Sequence, residues 1–372
     1  MKVIKMFAAF LVTPLVLQIL LPYISPVNCA YASCDGSRLY GVCFSPFRQG
    51  QDPADGIFPS EEQIEEDIII ISQIATATRT YGIDGTLSKI PELCNDYGVD
   101  CYVGAWISGV PAQDQNTISK LIAIANKDYE TTRALIVGNE YVYHNFSDPF
   151  SVSYIIGLMN QVRAATTLPV ATAEPWDIWF ARPALVDAVD FIPIHHYGFL
   201  REFDVYIAVQ ENIGVYNAIK DRYPDKEIII FETGWPTQGE SVGNAVPSEE
   251  NQEQFLKEFI PLAKENNIKY FIFAGFDEPY KALRSGIEYE SHWGLYYENR
   301  TIKPGLNSIL SANLADINFD GDVNTIDLWK LTIDWLKLTE ADDLCLPGDL
   351  NHDQTIDFYD FAKLADNWLL SE

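Results

Sequence analysis

Two carboxylates in this chain sit where a catalytic pair would be placed. Glu232 ends the run Glu227-Ile228-Ile229-Ile230-Phe231, and Thr233-Gly234-Trp235-Pro236 stops it. Glu140 ends the run Ala134-Leu135-Ile136-Val137-Gly138-Asn139 in the same manner. Runs this rich in β-branched and apolar residues read as strands buried on both faces. A buried strand that delivers a carboxylate at its C-terminal tip is how a parallel α/β barrel presents a catalytic group. Two glutamates on two such tips are what glycoside hydrolysis requires, one as acid/base and one as nucleophile or base. Either glutamate alone reads as a solvated residue where a strand leaves the core. The pair, with an amide beside one and an aromatic beside the other, favours chemistry.

The elements that would position them repeat eight times. The strands read as Leu39–Phe44, Thr78–Gly82, Cys101–Ile107, Ala134–Glu140, Pro169–Glu174, Phe191–His196, Glu227–Glu232 and Tyr270–Phe276. Between them lie amphipathic stretches, including Ser60–Ile74, Thr117–Asn126, Ser151–Ala165, Val205–Arg222 and Ser248–Asn266. Ser60 suits an N-cap, and Glu61 and Glu62 suit a first turn. Eight β-α units over about 275 residues have the size and rhythm of a (β/α)8 barrel. A doubly wound open sheet is the alternative, and the chain lacks the Gly-rich phosphate loop many such folds use.

Polar and aromatic residues gather at the strand ends: Arg79 and Tyr81, Trp106, Glu174 and Trp176, His195, His196 and Tyr197, then Asp277, Glu278 and Lys281. Singly each has an ordinary explanation as a satisfied histidine, an ion pair or a core aromatic. In a barrel they would all face one C-terminal mouth.

Composition narrows the partners. A net charge of −28 argues against nucleic acid or an anionic membrane and costs a neutral glycan nothing. Lys2 and Lys5 precede an apolar run from Met6 to Leu21, and Ala30-Tyr31-Ala32 offers a cleavage site, so residues 1–32 read as an export signal. A lipid anchor on Cys34 is the alternative. Past the signal five cysteines remain (Cys34, Cys43, Cys94, Cys101 and Cys345), too few to act as a scaffold, with Cys94 and Cys101 placed so that they could bridge.

Here the residues carry a resemblance. Val137-Gly138-Asn139-Glu140, Glu232-Thr233-Gly234-Trp235-Pro236 and Phe276-Asp277-Glu278-Pro279-Tyr280-Lys281 resemble the signature stretches of glycoside hydrolase family 17. Gly41-Val42-Cys43, Arg79-Thr80-Tyr81-Gly82 and Trp293-Gly294-Leu295-Tyr296 support it, and Thr172-Ala173-Glu174-Pro175-Trp176 looks more like the bacterial members than the plant enzymes. The resemblance covers residues 36–312. It implies a (β/α)8 retaining β-1,3-glucanase, or a glucanosyltransferase using the same residues, acting on β-1,3-glucan polysaccharide or oligosaccharide. Glu140 would be the acid/base and Glu232 the nucleophile, with carboxyl groups about 5–5.5 Å apart. Arg79, Tyr81, Trp106, Asn139, Glu174, Trp176, Tyr197, Trp235, Glu278 and Lys281 would line the cleft. Trp106 and Trp235 would stack on sugars, Arg79 and Tyr197 would hold Glu232, and the Glu278–Lys281 pair would lie near the acid. No cofactor is implied for catalysis. His195-His196-Tyr197-Gly198 departs from the plant pattern. A non-catalytic glucan-binding surface protein is the reading from another class, and retention of both glutamates speaks against it.

Residues 313–372 differ in kind, with 14 acidic and 3 basic side chains. A motif recurs there at a spacing of 33 residues. Asp316, Asn318, Asp320, Asp322, Asn324 and Asp327 supply oxygens at calcium-loop spacing around Gly321. Asp349, Asn351, Asp353, Thr355, Asp357 and Asp360 repeat the pattern, with Gln354 in place of the glycine. Each copy runs into a helix. The pattern resembles a type I dockerin, which implies a small all-α module, structural Ca2+ and a cohesin-type protein as partner. Thr325-Ile326 and Phe358-Tyr359 would choose that partner. The whole then reads as an exported bacterial enzyme with an appended docking module.

Overall fold

The computed structural model describes residues 38–310, 325–333, 335, 348, 350 and 355–368. The expected export signal, Cys34, Cys345 and the loop residues Asp316, Asn318, Asp320, Asp322, Asn324, Asp349, Asn351 and Asp353 lie outside them.

Eight parallel strands close into a barrel in chain order. They are β1 (Leu39–Cys43), β2 (Ala75–Arg79), β3 (Asp100–Ala105), β4 (Thr132–Asn139), β5 (Val170–Pro175), β6 (Ile192–His195), β7 (Ile228–Thr233) and β8 (Lys269–Ile272). Closure comes from β1 against β8, with Gly41 opposite Phe271. A Cβ on Gly41 would sit 2.5 Å from the Phe271 ring, so a side chain here would displace the ring that fills the barrel. That filling is aromatic: Tyr102, Phe231 and Phe271 pack edge-on with centroids 5.0–5.7 Å apart.

Helices sheath the barrel: α1 (Glu61–Ile74), α2 (Ile90–Asp96), α3 (Pro111–Ala125), α4 (Tyr141–His144), α5 (Ser151–Arg163), α6 (Trp176–Ala181), α7 (Pro183–Ala188), α8 (Val205–Arg222), α9 (Glu249–Glu265), α10 (Pro279–Ser285) and α11 (Asn307–Leu310). The sequence signals explain their starts. Ser60 and Gln63 form the reciprocal capping box of α1, Asp204 caps α8, and Ser248 caps α9. The burial of α1 on Ile64, Ile68 and Ile71 is the apolar face of its sequence period.

Two strands differ from the sequence reading by three or more residues at an end. β2 begins at Ala75, straight from α1 with no loop, because Ala75 and Ala77 already pair with Leu39 and Gly41; small side chains hid the strand start. β8 stops at Ile272 rather than Phe276, because Ala274 N–H leaves the ladder for Trp293 O at 2.9 Å, although Phe273 N–H and Gly275 N–H still reach Thr233 O of β7 and Cys43 O of β1 at 2.7 and 2.9 Å. Cys94 and Cys101 are buried free thiols in hydrogen-bond contact, not a bridge.

In the acidic tail, α12 (Thr325–Ile333) and α13 (Phe358–Trp368) follow the two loops. Leu331, Leu350, Ile356 and Leu364 form a small buried cluster flanked by Trp335 and Trp368. Leu331 with Leu364, and Trp335 with Trp368, are each 33 residues apart, so the sequence repeat is also a packing repeat.

Candidate active site

The mouth is organised around a buried cation. Arg79 ends β2 with a fully enclosed side chain. Its Nη1 bonds Glu232 Oε1, and its Nη2 donates to Asn139 Oδ1 at 2.8 Å. The guanidinium also lies over the Phe231 ring at 4.7 Å, so it touches two consecutive side chains of β7. A regular strand would send them to opposite faces. The register of β7 slips by one against β6 between Ile194 and His195, and this irregularity lets Phe231 fill the barrel while Glu232 faces the mouth.

Glu232 is held on both oxygens. Tyr81 donates to Oε1 at 2.8 Å and Tyr197 to Oε2 at 2.6 Å, while His195 Nδ1 lies 3.3 Å from Oε2. Burial alone would push this carboxyl up. The His195 and Arg79 charges and the two phenol donors outweigh burial and hold it below the ordinary value. Burial raises Tyr81 and Tyr197 well above the usual phenol range, which keeps them as donors.

Glu140 is delivered by a turn. Gly138 has φ +84°, and Glu140 itself lies in the left-handed region at φ +54°. Few non-glycine residues sit there without support. The turn brings Asn139 and Glu140 into the mouth together. His195 Nδ1 meets Glu140 Oε1 at 2.8 Å, and His144 Nε2 lies 3.5 Å from Oε2. One oxygen from each of Glu140 and Glu232 and Nδ1 of His195 all lie within 4.8 Å of one another. The three could bracket a metal ion by distance, but the Arg79 guanidinium already supplies the cation at Glu232.

The other expected residues divide. Trp106 is 52% exposed beyond β3 and free to stack on a ligand. Trp176 is half-buried, edge-on to His196. Glu278 and Lys281 pair at 2.5 Å, and Lys281 lies over Phe273 at 4.4 Å and Tyr81 at 5.9 Å. That places Lys281 beside Tyr81, which bonds Glu232, and beside Phe273, which backs Tyr197. Two expectations need correction. Trp235 is 1% exposed, donates Nε1–H to Val246 O and packs on Phe199 and Phe255; it is a core residue with no face for a sugar. Glu174 is fully enclosed, and its carboxylate is spent on the Val142 and Tyr143 N–H groups, so it does not contact a substrate.

Two residues were not assigned roles from sequence: His195, seen only as a rim residue, and His144, four positions after Glu140 and so on its side of a helical turn. Phe273 and Trp293 were likewise missed. They back Tyr197 at 5.6 and 5.0 Å.

The family model of the BtgE/BtgC glycoside hydrolase domain matches residues 41–294. A putative glucan endo-1,3-β-glucosidase of Aspergillus niger is 29% identical over 279 residues, 67% of this chain and 40% of that protein. A probable β-glucosidase of Aspergillus clavatus is 30% identical over 268 residues, 68% of this chain and 44% of that protein. The chain therefore spans less than half the length of these relatives. The crystal structure of a family 17 β-1,3-glucanosyltransferase from Rhizomucor miehei superposes with a TM-score of 0.62 at 26% identity, over 72% of this chain and 96% of that one. An endo-laminarinase from Formosa gives the same TM-score at 19% identity, a likeness of fold.

Proposed function

The chain belongs to the BtgE/BtgC glycoside hydrolase family, and from that premise we propose that it is a retaining glycosidase of β-1,3-glucan. The observation that carries the proposal is the pair itself. Glu140 and Glu232 approach within 4.8 Å oxygen to oxygen, and only Glu232 is ringed by a guanidinium and two phenols. That spacing leaves no room for a water between carboxylate and sugar, as retention requires.

In this reading Glu232 attacks the anomeric carbon while Glu140 protonates the departing glycosidic oxygen. A glycosyl ester on Glu232 results, and Glu140, now a carboxylate, takes a proton from the water that releases the sugar. Asn139, its oxygen fixed on Arg79, is left with its amide N–H groups to donate to a sugar 2-hydroxyl. Trp106 offers the exposed stacking surface. The relatives named as glucan endo-1,3-β-glucosidases, and the glucanosyltransferase solved with laminaritriose, support β-1,3-glucan as the substrate class. Transfer to a sugar rather than water uses the same residues and is the second reading.

Product analysis on linear β-1,3-glucan, beside mixed-linkage and β-1,4-glucans, tests the substrate. Proton NMR of early products tests the stereochemistry: the β-anomer should form first, and the α-anomer first would make Glu232 a base acting on water. Longer products than the starting oligosaccharide would favour transfer.

We also propose that the chain is exported by a bacterium and that residues 313–372 are a calcium-dependent, dockerin-like module that docks on a cohesin-type protein. Asp327 and Asp360, at position 12 of the two loops, are buried, as ligands facing a loop centre would be. Asp360 Oδ2 also accepts the Asp357 N–H at 2.8 Å, and Asp357 Oδ1 the Tyr359 N–H, so the second loop is tied to its helix. Ile326, Phe358 and Tyr359 are exposed, as partner-choosing residues must be. Calcium would relieve the repulsion among these carboxylates. The far-ultraviolet circular dichroism of the full chain should gain helix on adding calcium and lose it with chelator.

A further inference from the structure

Resting on the reading of Glu140 as the acid/base, we infer that Glu174 is its positioning residue, a buried carboxylate that locks the strained turn presenting it. Glu174 Oε1 accepts the Val142 N–H at 2.8 Å, and Oε2 accepts the Tyr143 N–H at 3.1 Å. The preceding residue on β5, Ala173, accepts the N–H of Glu140 itself at 2.7 Å. Two consecutive residues at the tip of β5 thus hold the backbone donors of positions 140, 142 and 143.

The turn needs such a hold. A non-glycine residue in the left-handed region costs on the order of 1–3 kcal/mol and persists only where its surroundings impose it. Glu140 is that residue, at φ +54°. Its carboxyl direction therefore follows the backbone that Glu174 grips. Glu174 is in turn seated: its carbonyl accepts Trp179 Nε1–H at 3.3 Å, and it pairs with Ile194 of β6, next to His195. The chain of contacts runs from the β5 tip through the turn to both partners of the acid/base.

Burial pushes the Glu174 carboxyl up to about 8, and the charge of Glu140 adds to that, while the two N–H bonds pull it down. Neutral or charged, a carboxyl offers an acceptor on each oxygen. An amide does not, because its NH2 would face one of the backbone N–H groups. Glu174→Gln is therefore isosteric and disruptive at one point only.

The test compares kcat/KM on β-1,3-glucan with kcat/KM on an aryl β-laminaribioside whose leaving group departs without a proton. Glu174→Gln and Glu174→Ala should lose about 10–100-fold on glucan, the scale of a displaced catalytic group. On the aryl substrate they should lose less than about 3-fold, since little general-acid help is needed there. Equal losses on both substrates, or a glutamine variant that matches wild type on glucan, would overturn the inference. Should the alanine variant not fold, the glutamine variant carries the test. Glu140→Ala is the reference: if it too loses equally on both substrates, the acid/base reading falls and this inference with it.

Discussion

The two carboxylates of the cleft have the same chemistry and opposite surroundings. Glu232 has donors on both oxygens, one of them a guanidinium, and its side chain is 6% exposed. Glu140 has one imidazole at hydrogen-bond distance and a second further off, and its side chain is 22% exposed. The first is built to remain an anion. The second keeps an open side, as the proposed acid/base needs. Their strands prepare this difference: β7 slips its register to seat Glu232 among fixed donors, whereas β4 ends in a left-handed turn that puts Glu140 on the open side. Role in such a pair is set by the donors around each oxygen, not by the residue type.

Removing Glu232, the proposed nucleophile, should have the largest effect. Glu232→Ala should lower kcat on glucan by about 10⁴-fold or more, the scale of deleting a covalent catalyst, with the far-ultraviolet circular dichroism unchanged. Residual activity within about 10-fold of wild type would mean that the ringed carboxylate is not the attacking group. Glu140→Ala comes next, with a loss of about 10²–10⁴ on glucan, the usual range for general acid–base catalysis. Azide should partly restore turnover of an activated aryl glycoside by this variant and give a β-glycosyl azide. An α-glycosyl azide from the Glu140 variant, with the β-anomer from the Glu232 variant, would exchange the two roles.

Much of this was legible in the sequence. Runs such as Ile228-Ile229-Ile230-Phe231 are strands under any reading, and a glutamate ending each of two runs locates the mouth. What escaped is direction. Trp106 and Trp235 both follow strand tips, yet one is 52% exposed and the other 1%, because Trp235 lies under Phe199 and donates to a carbonyl eleven residues on. Nothing local distinguishes them. The left-handed conformation is ordinarily read from glycine, so a glutamate adopting it carries no signal, and the need for Glu174 beneath it was invisible. His195 and His196 are adjacent, and only the barrel decides that the first reaches the carboxylates while the second is buried beside Trp176.

The foundations of the two sides also respond differently to protons. Glu232 rests on Arg79, which stays charged, whereas Glu140 rests on Glu174. The folded value of Glu174, about 8, lies above its ordinary 4.5, so the native state binds the extra proton and this contribution is lost as pH rises between them. His196 has the opposite sign: burial and Arg201 lower it from 6.5 to about 4, so its contribution is lost as pH falls through that window. The two slopes offset each other between 4.5 and 6.5; above 6.5 Glu174 acts in the same direction as His292, whose value the Asp277 carboxylate raises from 6.5. Stability from urea unfolding should fall from pH 6.5 to 8, with Glu174 contributing about 2 kcal/mol of the loss. Glu174→Gln should flatten that slope, whatever it does to the absolute value, and an unchanged slope would place the titration elsewhere.

The smallest expected effects separate the two oxygens of Glu232. Tyr81 and Arg79 share Oε1, whereas Oε2 has Tyr197 at 2.6 Å and His195 at a longer 3.3 Å. Deleting the Tyr81 hydroxyl leaves a charged donor on its oxygen; deleting that of Tyr197 leaves only the imidazole. A hydrogen bond to a charged group contributes about 1.5–3 kcal/mol, and one whose loss is covered by a neighbour contributes less. Tyr197→Phe should therefore lower kcat/KM on glucan by about 10-fold and Tyr81→Phe by about 2–3-fold. Both rings keep their packing, Tyr81 under the Arg79 guanidinium at 4.0 Å and Tyr197 against Trp293 at 5.0 Å, so neither variant should lose much stability. A larger loss for Tyr81→Phe would mean that the guanidinium positions Glu232 without carrying its charge. The phenol on Oε1 would then be the donor that matters when the carboxylate is released from the sugar.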